Sequence, residues 1–247
     1  YACSTHVYPN SNGLKEYILN NNLTKKNKLN VIGHGSSNGI NTNYFKRSDD
    51  IVAQSDKIKT QLNLENKFIF CFIGRIVKDK GINELLYAFE DLSNAHPNIT
   101  LLLVGPFEKN LDPISKESQH ILEINKSIIH LGFQNDTRPY LALSNFIVLP
   151  TYREGFPNVL LQAGAMETPA ITTDINGCNE IVIDNYNGII IPPKDKKSLF
   201  NSMKRVITDT SLEKKLRKNC RQNIISKFDQ KKFQQLLLKE YQLHLKK

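Results

Sequence analysis

Cysteine is scarce in this chain and carries no pattern. The four copies, Cys3, Cys71, Cys178 and Cys220, lie far apart without C-x-x-C spacing, so neither a zinc site nor a redox pair is indicated. Buried, reduced thiols in a cytosolic protein are the expectation. Long apolar runs are also missing, since none approaches the roughly 18 residues that span a bilayer. There is no D-x-D motif and no cluster of His and Asp with ligand spacing, so no metal is expected. No DNA- or RNA-binding module can be recognised. The start, Tyr1-Ala2-Cys3-Ser4, has neither a methionine nor a signal-peptide layout, and the expectation is a chain that begins partway through a longer one.

What is present is enough for a core. At 247 residues and 40% hydrophobic content, one large domain plus an appendage is expected, and disorder is not. The formal charge of +9 is compatible with a phosphorylated substrate, an anionic membrane surface or nucleic acid. Much of it is local, in Lys214, Lys215, Arg217, Lys218, Arg221, Lys227, Lys231, Lys232, Lys239, Lys246 and Lys247. Helical patterning makes most of these a solvated face, and peripheral contact with a membrane is the second reading.

Three regions separate along the chain. Residues 1–43, rich in Asn, Ser and Lys, predict strands at 5–8 and 28–32 and a helix at 14–20, which is too little for a domain. His34 stands beside a glycine turn with no partner carboxylate nearby, and a structural role is the expectation. From residue 67 onward, apolar strands at 68–73, 100–104, 128–131, 146–149, 170–173 and 188–191 alternate with helices at 82–95, 115–125, 136–143, 158–167 and 179–184. That alternation predicts an α/β fold, a doubly wound parallel sheet of Rossmann-like type, with ligands bound outside the carboxyl ends of its strands. The tail reads as helices at 195–208, 211–226 and 229–245. On the last, Leu236, Leu237, Leu238, Tyr241 and Leu245 are expected to form an apolar stripe, left exposed or paired with another copy where no further domain covers it. The division taken is 1–43, 44–228 and 229–247.

The densest chemistry lies at 154–169, reading EGFPNVLLQAGAMETP. Pro157 suits a helix start and the run after it is apolar, so a helix begins near Asn158 with free amides that suit a diphosphate or sugar hydroxyls. Gly155 lets the backbone approach a ligand. Glu154 enters the turn, and Gln162 lies one turn in with its side chain leaning back toward the helix start. The blander reading is that Glu154 complements the dipole and Gln162 is solvated. Farther upstream, Gly74-Arg75 ends a strand and Lys80 precedes the next helix, and two cations at such a turn can clamp a diphosphate. Lys78 is a solvated alternative of the same charge.

This segment resembles the donor-site signature of family-4 retaining glycosyltransferases of the GT-B fold, E-G-F/L-P, four variable residues, then E-A. Matches follow in order at Gly74-Arg75, Lys80-Gly81, Leu103-Val104-Gly105, Gly132-Phe133, and Gly177 with Glu180, covering about 67–193. One position departs, because the motif's second glutamate falls on Gln162. In the family that carboxylate holds the nucleotide's ribose, and an amide there forgoes charge assistance worth roughly 1 kcal/mol or more.

The resemblance implies transfer of a sugar from a nucleotide diphosphate, with a uridine-diphosphate sugar and an N-acetylhexosamine the first candidates, to a glycan or polyprenyl-diphosphate-linked acceptor with retained configuration. Such chemistry belongs to capsular or other bacterial surface polysaccharide synthesis. It assigns catalysis to Arg75, Lys80 and Glu154 and donor binding to Gly74, Phe133, Gly155, Phe156, Asn158, Val159 and Gln162, without a metal or other cofactor. Phe133 is equally readable as a core residue closing a strand, and 176–180 as a structural turn; Arg138 and Tyr152 are nearby but unassigned. The resemblance makes 1–43 the end of an acceptor-binding domain, with a linker at 35–39. The chain alone is then expected to bind donor but not to transfer. A non-catalytic sugar-nucleotide-binding module is the alternative.

Overall fold

A computed structural model describes residues 1–108 and 111–245. Six strands form one parallel sheet: β1 Phe68–Ile73, β2 Ile99–Val104, β3 Ile128–Gly132, β4 Phe146–Leu149, β5 Ala170–Thr173 and β6 Gly188–Ile191. Their order is β3-β2-β1-β4-β5-β6, so the winding reverses between β1 and β4. Phe68 lies opposite Ile99 and Ile73 opposite Val104, and the β2–β3 register slips between Leu103 and Val104. All residues of β2 and β4 are buried, as a sheet covered on both faces requires.

The helices are α1 Asn12–Asn20, α2 Asp49–Gln61, α3 Ile82–Ala95, α4 Lys116–Ile124, α5 Arg138–Leu143, α6 Asn158–Ala165, α7 Cys178–Ile181, α8 Lys196–Thr208, α9 Thr210–Phe228 and α10 Gln230–Leu245. Helix starts follow side-chain caps where the sequence supplies them. Ser11 accepts from the Leu14 amide, Asp195 from Ser198, and Asp209 from Ser211 and Leu212. Helix α3 packs on α8, α2 on α5, and α6 on α9. Among the described residues no helix is long and apolar enough to cross a membrane.

The structure departs from these expectations in places. The strands at 5–8 and 28–32 reduce to one parallel bridge, Val7 to Leu29, because nothing continues the ladder beside them. Helix α2 was not anticipated; its sequence is mostly polar and only Ile51 and Ser55 are buried. On α10 the inward face is Phe233, Leu237, Glu240 and His244, while Leu236, Leu238, Tyr241, Leu243 and Leu245 are exposed. Polar bonds fix this rotation: the Tyr8 hydroxyl donates to Glu240 Oε1 at 3.1 Å and lies 2.8 Å from His244 Nε2.

Most of the described basic run is solvated as expected, with Lys214, Lys215, Lys218, Lys231, Lys232 and Lys239 exposed, but two arginines are not. Arg217 donates to the Glu167 carbonyl at 2.8 Å, and Arg221 to the Phe45 and Thr42 carbonyls at 2.8 Å each and to that of Ala165. These two are ties between α9 and the loops beneath it; Lys246 and Lys247 lie outside the described residues.

Near residue 40 the chain crosses its own tail. The Ile40 amide donates to the Phe228 carbonyl at 2.8 Å, the Gln230 amide to that of Ile40 at 2.9 Å, and the Thr42 hydroxyl to Asp229 Oδ2 at 2.6 Å.

Candidate functional site

The loops after β1, β2, β3 and β4 meet at the carboxyl edge of the sheet, and the crevice between β1 and β4 is where a doubly wound sheet receives its ligand. Backbone proximity brings the walls together. Gly105, at φ +141°, sits where a Cβ would come within 1.9 Å of the Gly74 carbonyl oxygen. Gly81, at φ +70°, would meet the Pro150 carbonyl oxygen at 2.0 Å, so the 3₁₀ turn at Lys78–Lys80 is pressed against the loop leaving β4. The Tyr152 amide then donates to the Asp79 carbonyl at 2.8 Å.

This stitching joins two residues far apart in sequence. Lys80 Nζ donates to Glu154 Oε1 at 2.6 Å, with side-chain exposures of only 16% and 14%. Arg75 turns outward, 52% exposed, and pairs with Glu108 at 2.7 Å. Both cations therefore rest on carboxylates at the edge of the crevice.

Helix α6 begins at Asn158, as its sequence predicts, and Gly155 and Asn158 are exposed at its start. Phe156 is half-buried with its ring 5.6 Å from that of Phe228, and Val159 is half-buried against the core. Gln162 lies one turn in, also half-buried. Gly74 stands at the end of β1, its amide donating to the Val104 carbonyl at 2.9 Å. Phe133 follows β3 and is 70% exposed, which overturns the reading of it as a core residue. Arg138 and Tyr152 are engaged elsewhere. Arg138 pairs with Asp136 at 2.6 Å and lies 3.8 Å over the Tyr44 ring, and the Tyr152 hydroxyl donates to Glu84. The hydrogen bonds from Arg138 hold the Asp136 carboxyl below its ordinary range. His34 is exposed, its ring edge-on to Phe228.

The loop at 176–180 buttresses the site. Asn176 Nδ2 donates to the Gly155 carbonyl at 3.2 Å while its Oδ1 accepts from Ser11 at 2.8 Å. Gly177 packs against the same carbonyl, where a Cβ would lie 2.5 Å away. Glu180 accepts from the amides of Asn12 at 2.8 Å and Gly13 at 3.2 Å, so it serves the start of α1. Beneath the Lys80–Glu154 pair, burial pushes the Cys178 thiol up to about 12.

Sequence reasoning missed Asn10, whose amide nitrogen is 3.3 Å from where a Gly155 Cβ would stand, and Arg153 and Asp79, which pair at 3.3 Å beside the crevice. The place of Arg153 just before Glu154 was the available signal; Asn10 had none. Among the described residues no group of three or more His, Cys, Asp or Glu is arranged to hold a metal ion.

Known proteins resemble this chain in sequence and in fold. A family model described as glycosyl transferases group 1 matches residues 53–225. The capsular polysaccharide biosynthesis glycosyltransferase CapM of Staphylococcus aureus is 33% identical over 226 residues, covering 92% of this chain and 58% of that protein. A Campylobacter jejuni protein, N,N'-diacetylbacillosaminyl-diphospho-undecaprenol alpha-1,3-N-acetylgalactosaminyltransferase, is 30% identical over 230 residues, covering 92% of this chain and 57% of that one. The chain thus spans less than two thirds of the length of these relatives. Among solved structures, Anabaena HepE in complex with UDP superposes with a TM-score of 0.85 at 21% identity, over 97% of this chain and 64% of that one, a likeness of fold. With the family model spanning most of its length and the motif residues gathered at one crevice, the chain belongs to the glycosyl transferases group 1 family.

Proposed function

We propose that this chain forms the donor-binding half of a retaining glycosyltransferase that moves a sugar from a UDP-sugar to a hydroxyl of a glycan, the glycan being carried on a polyprenyl diphosphate. The observation that carries the reading is the Lys80–Glu154 pair, 2.6 Å long, set at the crevice between β1 and β4. The names of relatives support it: one is a UDP-Gal:alpha-D-GlcNAc-diphosphoundecaprenol alpha-1,3-galactosyltransferase of Escherichia coli, and the Campylobacter protein is named for a diphospho-undecaprenol acceptor. The HepE structure holds UDP.

In this reading the donor's diphosphate draws Lys80 and Arg75 from their carboxylate partners and takes the exposed amides at the start of α6. Glu154, released from Lys80, accepts hydrogen bonds from the sugar's hydroxyls. Gly74, Gly155, Phe156 and Val159 shape the backbone and apolar wall, Phe133 lies against the base, and Gln162 accepts from the ribose. The bond from the anomeric carbon to the diphosphate oxygen breaks as the acceptor oxygen bonds on the same face, and the acceptor's proton passes to the departing phosphate. The protein's task is electrostatic and positional, and losing one such charged contact costs about 10²–10³ in rate.

Calorimetric titration with UDP, GDP and their sugars tests the reading. Saturable UDP binding is expected, lost in Arg75→Ala and weakened in Glu154→Ala; a chain that binds no nucleotide would sink it. By itself the chain is expected to bind donor and transfer little, because the reacting atoms meet between two halves. Gln162 is the feature that favours a binding module without transfer. Donor turnover by the longer protein, abolished by Glu154→Ala, would exclude that module. A lipid-carried acceptor places the enzyme at the inner face of a membrane, in peripheral contact.

A further inference from the structure

Arg153 and Glu154 are neighbours in sequence and face opposite ways. Glu154 turns inward onto Lys80, while the Arg153 side chain is 84% exposed. Its resting partner is Asp79, at the long distance of 3.3 Å. An exposed ion pair of that length holds weakly, so Arg153 can leave it at little cost.

Arg153 lines an open hollow of 420 Å³ together with Arg75, Val77, Asp79, Leu111 and Asp112. The loops that supply it follow β1, β2 and β4, so it opens at the point where the sheet's winding reverses. Its two carboxylates are already engaged: Asp112 Oδ2 accepts from the Asp79 amide at 2.7 Å, and Asp79 Oδ2 holds Arg153 itself. Three cations thus rest on three carboxylates around the crevice, Lys80 on Glu154, Arg75 on Glu108 and Arg153 on Asp79. The donor, as read above, takes the first two. The third is the outermost and has no role there.

Resting on that reading, we propose that Arg153 binds the phosphate of the anionic acceptor, a lipid diphosphate that bears the sugar to be extended. A second substrate must reach the anomeric carbon from the open side of the crevice, where Arg153 stands beside the residue that holds the donor sugar. A guanidinium presents two parallel N–H donors to a phosphate, which an ammonium does not. Asp79 is then the resting clasp that keeps the arginine in place while the hollow is empty.

The test is titration of this chain, saturated with UDP, with geranyl diphosphate, using geraniol as the uncharged control. Geranyl diphosphate should bind and geraniol should not. Arg153→Met should weaken the diphosphate lipid at least tenfold and Arg153→Lys by an intermediate factor, both leaving UDP affinity within twofold. Circular dichroism of each variant checks that the fold is kept. Equal binding of geranyl diphosphate by wild type and Arg153→Met overturns the proposal, as does no binding by wild type. If Arg153→Met weakens UDP as much as Arg75→Ala does, Arg153 belongs to the donor and the proposal also fails. Failure of UDP itself to bind removes the donor reading and the acceptor proposal with it, whereas intact UDP binding with an unchanged lipid arm removes only the latter.

Discussion

A methyl group on Gly105 would lie 1.9 Å from the Gly74 carbonyl oxygen, at a φ that side chains rarely adopt, so Gly105→Ala must push apart the loops that carry Arg75 and Glu108. Backbone displaced by a fixed atom has no cheap relaxation, and we expect a loss of about 3 kcal/mol or more. A thermal melt should fall by roughly 6–12 °C for a chain of this size. Gln162 makes a subtler prediction. Restoring a carboxylate with Gln162→Glu adds charge assistance of roughly 1 kcal/mol, so calorimetry should show UDP bound about fivefold more tightly. The thiols give a readout of the crevice floor. Burial pushes Cys71, Cys178 and Cys220 up to about 12, while Cys3 is exposed. A thiol-specific chromogenic reagent at pH 8 should therefore react with one cysteine in the native chain and with four after unfolding. Rapid native reaction at Cys178 would mean that the floor beneath Lys80 and Glu154 opens.

Among the elements, α1 is the one whose start depends most visibly on a distant side chain. Glu180 accepts from its first two amides, and Glu180→Ala should cost about 1–2 kcal/mol. Hydrogen exchange should quicken over Asn12–Asn20 while the strand amides keep their protection. The loop from β3 to α5 carries a pH dependence through Asp136. Arg138 lowers its folded pKa, so the stabilisation is full above the ordinary carboxylate range and lost as pH falls through the lowered value. Between pH 5 and pH 3 the wild-type melting temperature should fall further than that of Asp136→Asn. The strands were legible to within a residue at each end, because a strand buried on both faces reads as one apolar run, such as FIFCFI in β1. Helix α2 was not, although Ser48-Asp49-Asp50 is a start signal; its buried stripe is too thin to stand out from polar neighbours. In α10 the apolar stripe was legible but its rotation was not, since Tyr8 and Asn30 set that through Glu240 and no local pattern records them.

For the molecule as a whole, the ordered glycine motifs were enough to indicate the fold and the family, because each motif marks a loop at the same end of the sheet. What joins those loops was not legible. Lys80 and Glu154 are separated by 74 positions, and their contact follows from Gly81 meeting Pro150, a tertiary event without a local signature. Within a basic run that is mostly solvated, as read, the ties of Arg217 and Arg221 to backbone carbonyls were likewise not legible. The crossing at Ile40 and Asp229 has a mechanical consequence. The first 38 residues are bonded to α10 through Tyr8, Asn30 and Glu240, so this segment and the last helix are held to each other as well as at the crossing. The same segment holds Ser11 to Asn176 and α1 to Glu180, the contacts that steady the Gly155 turn. A continuous run of hydrogen bonds and covalent chain thereby joins α10 to the turn at Gly155.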